Sequence, residues 1–182
     1  VYLPNLITVV RVLLVPVVIW LILHDAHTAA FALFVLAGIS DAVDGFLARH
    51  YDWRTALGAY LDPLADKLLL VAIYFTLGLL GHMPAWLVIA VVSRDILIVG
   101  AVILSWMVER PVEMRPSIVS KANTVGQIAL AGLVMAHLGF APMLAAVVTP
   151  MTWLVGILTL LSAGIYLTRW LRHMAYYDAL ED

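Results

Sequence analysis

Residues 41–66 read DAVDGFLARHYDWRTALGAYLDPLAD, and every other part of the chain is best understood from this stretch. It carries Asp41, Asp44, Asp62 and Asp66 at the ends of two apolar segments of lipid-spanning length. Ionisable side chains at membrane depth are costly and persist where a charge, a metal or a water-filled cavity compensates them, so these acids mark the first candidate site. The surroundings set the context: of 182 residues, 64% are apolar and 12% charged, and the mean hydropathy is +1.04. That composition excludes a soluble domain and points to an integral membrane protein. One apolar run follows another with no polar insertion long enough to fold separately, which predicts a single domain over residues 1–182. The absence of cysteine excludes disulfides, thiolate metal sites and thiol nucleophiles. No nucleic-acid partner is expected.

Windows of about 20 apolar residues, the length that crosses roughly 30 Å of hydrocarbon, predict six transmembrane helices and an all-α fold. They lie near Leu3–Leu23, Thr28–Ala48, Leu57–Leu80, Pro84–Met107, Ile118–Leu138 and Met151–Trp170. The first run lacks a small-residue cleavage motif and reads as a retained helix. Lys and Arg accumulate on the cytoplasmic side of membrane proteins. With the N-terminus inside, the segments 24–28, 81–84 and 139–150 lie outside and contain no Lys or Arg. The ten basic residues then fall at inner loops and helix ends, except Arg94, which falls within a span. Both termini are therefore expected on the cytoplasmic side, and a bacterial inner membrane is the expected location. The tail from Arg169, with Trp170, Tyr176 and Tyr177 among charges, suits an interfacial helix end.

Asp41 and Asp44 are three residues apart and Asp62 and Asp66 four apart, so each pair shares a helix face. The short connection between the two helices brings the faces together. Four carboxylates converging in low dielectric would take up protons unless a cation lay between them. Hard oxygen donors favour Mg²⁺ or Mn²⁺, and four carboxylates suffice to bridge two ions of the kind that clamp an in-line phosphoryl displacement. A single acid at a helix end is commonly a cap, and Asp62 before Pro63 has the pattern of an N-cap with proline at the first helical position. Four acids on two facing surfaces are not explained that way. Gly45 and Gly58 are compatible with plain helix packing, but beside carboxylates they also allow a backbone to approach a nucleotide.

The spacing of Asp41, Asp44, Gly45, Ala48, Arg49, Gly58, Asp62 and Asp66 matches the signature D-x2-D-G-x2-A-R-x8-G-x3-D-x3-D, and the chain so resembles the CDP-alcohol phosphatidyltransferases. The six-helix topology of that family is also similar to the spans above. The resemblance implies that Asp41, Asp44, Asp62 and Asp66 bind two Mg²⁺ or Mn²⁺ ions, and that Asp66 is also the general base. It implies contacts to the CDP part of a CDP-linked lipid from Gly45, Ala48, Arg49, Thr55 and Gly58. Arg49 suits that task, because a guanidinium meets phosphate oxygens bidentately. It raises Asn5 and Thr8 as well, which share a polar face with Arg11 at the start of the first helix and would otherwise be a plain interfacial opening. A homodimer is implied; Gly78 and Gly81 suit either close contact between protomers or packing within one.

The reaction implied is attack by an acceptor hydroxyl on the diacylglycerol-linked phosphorus of CDP-diacylglycerol, with CMP leaving. Arg94 and Asp95 lie deep in the fourth span, as a structural ion pair or a site facing a cavity. Ser120, Lys121, Asn123, Thr124 and Gln127 form a polar stripe on the fifth helix that joins helices or lines a site. Lys121 with Arg94 is expected to hold the phosphate of an anionic glycerol-containing acceptor. Residues 56–67, 93–95 and 115–127 look closer to the cardiolipin synthases of the family, with phosphatidylglycerol as acceptor, than to the phosphatidylglycerophosphate synthases, which use glycerol 3-phosphate. An ion or proton transporter is the reading from another class; it predicts acids spread through the membrane depth and an internal repeat, whereas these gather on one side. His24, His27 and His82 are expected on the outer side with no metal role, since their spacing lacks a convergent third ligand.

Overall fold

The computed structural model describes residues 3–50, 56–107 and 117–181, with side chains described throughout except at 3–9, 11, 41–42, 44–50, 56–66, 102, 106 and 176–181. Six α-helices form it: α1 (Leu3–Leu23), α2 (His27–His50), α3 (Ala56–Leu79), α4 (Ala85–Met107), α5 (Ile118–Gly139) and α6 (Ala145–Glu181), with a 3₁₀ turn at Pro142–Leu144 before the last. The described residues contain no strand. Helices are the expected answer to this composition, because in lipid every backbone polar group must be satisfied within its own segment. Three described stretches are long and apolar enough to cross a bilayer, Ala85–Ser105, Ile118–Gly139 and Pro142–Ala175. Among the described side chains, α1, α2 and α3 hold the shorter apolar stretches Val12–Leu23, His27–Ser40 and Lys67–Leu79.

α1 packs on α2 and α3, α5 on α2, α3 and α6, and α4 on α3 and α6. Val18, Ile22, Ala30, Leu70, Ile73, Leu77, Leu87, Leu130, Met135 and Val155 share one buried core. Leu13, Ile89, Leu160 and many other large apolar residues point outward, as a lipid-facing surface requires. Where α3 meets α4, a Cβ on Gly78 would lie 2.8 Å from Val88 Cγ2, so Gly78 serves close packing within one chain. Gly81 is a turn residue with φ +76° and nothing within 4 Å of its Cβ position.

The last helix departs from expectation. The span predicted at Met151–Trp170, with 139–150 outside it, is part of a helix of 37 residues that starts at Ala145 and runs through Pro150. Proline removes one donor, to the Ala146 carbonyl near the helix start, and the rest of the ladder is kept. At 1.5 Å per residue the helix is about 55 Å long, well beyond the hydrocarbon thickness, so its charged end continues past the membrane.

Two turns at the end of the bundle away from residues 41–66 have the same construction. After α1, Ala26 N–H donates to Leu21 O (2.9 Å) and Asp25 N–H to Ile22 O (3.2 Å), with Asp25 at φ 56°. After α3, His82 N–H donates to Leu77 O (2.9 Å) and Gly81 N–H to Gly78 O (3.1 Å). Both are Schellman caps, in which a residue in the left-handed conformation satisfies the last carbonyls of the helix.

Candidate active site

Asp41, Asp44, Gly45, Ala48 and Arg49 lie in the second half of α2, and Gly58, Asp62 and Asp66 in the first half of α3. Asn5 and Thr8 are in the opening turns of α1. The side chains of these ten residues are outside those described, and Thr55 lies outside the described residues altogether. Helix register still places them. Positions 41 and 44 continue the stripe of α2 that carries Ala30, Phe34 and Ala37, of which Ala30 and Ala37 are buried and Phe34 packs against the core. Positions 62 and 66 continue the stripe of α3 that carries buried Leu69, Leu70, Ile73 and Leu77. Each acid pair thus shares one face of its own helix, as a spacing of three or four residues requires. Four carboxylates offer only hard oxygen donors, the kind that Mg²⁺ and Mn²⁺ take.

The residue after Asp66 is tied to the rest of the bundle by a charged network. Lys67 Nζ donates to both carboxylate oxygens of Asp95, each at 2.9 Å. Arg94 Nη1 donates to Asp95 Oδ1 at 2.6 Å. Arg94 also donates through Nε and Nη2 to Ser162 Oγ, at 3.2 and 3.0 Å, and through Nη2 to Ser120 Oγ. Its guanidinium carbon lies 5.6 Å from the Tyr166 ring centroid, within cation–π range. The side chain of Arg94 is only 4% exposed and that of Asp95 15%, whereas Lys67 is 33% exposed. A buried guanidinium needs such partners, and one network therefore links α3, α4, α5 and α6 beside the last acid of the signature.

Of the two acceptor candidates, Arg94 is the more committed: these four bonds leave one of its five N–H groups uncommitted among the described residues. Lys121 is exposed and follows the Ser120 that Arg94 holds. The polar stripe of α5 does join helices. Thr159 Oγ1 donates to Asn123 Oδ1 (2.9 Å) and Tyr74 Oη to the backbone carbonyl of Gln127 (3.0 Å), while Thr124 Oγ1 donates within α5 to Ser120 O (3.2 Å). The Asn123 amide nitrogen and both polar atoms of the Gln127 side chain are buried without a hydrogen-bond partner among the described residues. Lys67, Ser162 and Tyr166 were not singled out from sequence as partners of Arg94 and Asp95; the Asp-Lys pair at 66–67 was their nearest signal.

At the other end of α2, Asp25, His27 and His82 each bring one potential donor atom within 4.8 Å of the others, a grouping that the spacing of the histidines does not show.

Comparison with known proteins agrees with the signature. The CDP-alcohol phosphatidyltransferase profile matches residues 1–168. A cardiolipin synthase (CMP-forming) / mitochondrial hydrolase fusion protein of Schizosaccharomyces pombe is 34% identical over 181 residues, covering 90% of this chain and 30% of its own length. The cardiolipin synthase (CMP-forming) of Rattus norvegicus is 34% identical over 143 residues, 70% of this chain and 47% of the relative. A chloroplastic CDP-diacylglycerol–glycerol-3-phosphate 3-phosphatidyltransferase of Oryza sativa is 32% identical over 183 residues, 90% of this chain and 55% of the relative. The chain thus spans about a third to a little over half of the length of these relatives. With the signature present and the profile matched over nearly its whole length, the chain belongs to the CDP-alcohol phosphatidyltransferase family.

Proposed function

We propose that the protein transfers the phosphatidyl group of CDP-diacylglycerol to a hydroxyl of phosphatidylglycerol, releasing CMP and forming cardiolipin. The observation that carries this reading is the family match over residues 1–168 in a chain whose signature acids fall within α2 and α3. Asp66 takes the proton of the acceptor hydroxyl as its oxygen bonds to the diacylglycerol-linked phosphorus and the bond to the CMP oxygen breaks. Asp41, Asp44, Asp62 and Asp66 hold two divalent ions, Mg²⁺ or Mn²⁺. When bound, these ions offset charge on the pyrophosphate. Asn5, Thr8, Gly45, Ala48, Arg49, Thr55 and Gly58 position the CDP part. Lys121 meets the acceptor phosphate, and Arg94 adds its remaining N–H while holding Ser120. The site faces the cytoplasmic side of a bacterial inner membrane, and the working unit is a homodimer.

The preference for phosphatidylglycerol is supported by the cardiolipin synthase names of the S. pombe and rat relatives. The rice relative keeps glycerol 3-phosphate as the second reading. Purified protein given labelled CDP-diacylglycerol, Mg²⁺ or Mn²⁺ and each acceptor separately is expected to form cardiolipin from phosphatidylglycerol and little product from glycerol 3-phosphate. The reverse pattern overturns the acceptor, and inactivity with every hydroxyl acceptor overturns the transferase reading.

A further inference from the structure

The two Schellman turns bring three metal-ligating residues together from segments far apart in sequence. Asp25 is the left-handed residue that ends α1, His27 is the first residue of α2, and His82 follows the left-handed Gly81 after α3. His27 Nε2 lies 3.5 Å from Asp25 Oδ1, and the imidazoles of His27 and His82 meet edge to face with centroids 5.5 Å apart. His27 is 6% exposed, and its Nδ1 is buried without a hydrogen-bond partner among the described residues.

We propose that Asp25, His27 and His82 form a site for a borderline transition-metal ion, Zn²⁺ by preference, which clips the α1–α2 turn to the α3–α4 turn. The donor set selects the metal class, because two imidazoles and one carboxylate suit Zn²⁺, whereas Mg²⁺ and Ca²⁺ take oxygen shells. Ligand bonds of about 2.0–2.1 Å in a tetrahedron put donor atoms about 3.4 Å apart. The His27–Asp25 separation of 3.5 Å already meets that edge. The full set, within 4.8 Å, closes by side-chain rotation of exposed Asp25 and half-buried His82. Three protein ligands leave a fourth position for water.

The site is separate from the acid stripes: His27 is 14 residues before Asp41 on the same helix, about 21 Å at 1.5 Å per residue.

The test uses the full chain in detergent, stripped of metal and saturated with Mg²⁺, then titrated with Co²⁺ as a visible-absorbing probe and with Zn²⁺ in competition. The parent is expected to develop the intense d–d bands of tetrahedral Co²⁺ at one ion per chain, to lose them to Zn²⁺, and to melt at higher temperature with Zn²⁺. His82→Ala should weaken binding more than about 10-fold, the lower bound set by loss of mere outer-shell partners. Asp25→Asn preserves a residue that tolerates the left-handed conformation and should show the same loss with its fold intact. His24→Ala should bind as the parent does, because His24 Nδ1 is engaged by the Trp20 carbonyl at 2.8 Å. Absence of tetrahedral bands in the parent, or bands unchanged in both His82→Ala and Asp25→Asn, would overturn the proposal.

Discussion

Asp95→Asn is the substitution that most directly tests how the bundle supports its acids. It keeps the shape of the side chain and removes the charge that receives Lys67 on two oxygens at 2.9 Å and Arg94 at 2.6 Å. Two cations are then left facing one another, one on a side chain 4% exposed and one on a side chain 33% exposed. Breaking a buried pair by removing one partner costs about 3–5 kcal/mol. The partial exposure of Lys67 and the retained Ser120 and Ser162 contacts of Arg94 place this case near the lower end, about 3 kcal/mol. For a chain of this size each kcal/mol shifts the melting temperature by about 2–4 °C, so a fall of about 6–12 °C is expected. Tryptophan fluorescence during thermal unfolding in detergent measures it. Lys67→Met should recover part of the loss in the Asp95→Asn background, because it removes one unpaired cation. A single variant that melts with the parent, or a double variant whose losses simply add, would refute the coupled network.

Asp66→Asn is expected to reduce turnover by about 10²–10⁴-fold while retaining CDP-diacylglycerol binding better than rate, measured by single-turnover CMP release beside equilibrium binding. Parallel loss of both would make Asp66 chiefly a ligand. Chelation of divalent ions should abolish CMP release and added Mg²⁺ or Mn²⁺ restore it, and Asp41→Asn should raise the metal requirement as it lowers the rate; full turnover in chelator would exclude a metal mechanism. Gly78→Val should destabilise by about 1–3 kcal/mol through overpacking against Val88, whose Cγ2 is 2.8 Å from the Cβ position. Val88→Ala should restore much of that stability in melts of the double variant, and no rescue would argue against the contact.

The helices and the acid faces are legible in the sequence because both are local properties. A run of apolar residues long enough to cross hydrocarbon must satisfy its own backbone, and that alone predicts α1 at Leu3–Leu23 as observed and the other helices to within a few residues at most ends. A spacing of three or four residues places Asp41 with Asp44 and Asp62 with Asp66 whatever surrounds them. The α6 start was hidden because proline and glycine near 139–150 read as a break, whereas one lost backbone bond is tolerated when the remaining ladder and the membrane favour a helix. Tertiary structure alone decided the partners. Arg94 finds Ser120 and Ser162, 26 and 68 residues further along the chain, and nothing in local pattern selects those serines from others. Asp25, His27 and His82 meet only because two helix caps turn the chain back at the same end of the bundle. Periodicity tells which face a residue occupies; packing tells what that face meets, because desolvated polar groups must pair with whatever the fold brings within reach.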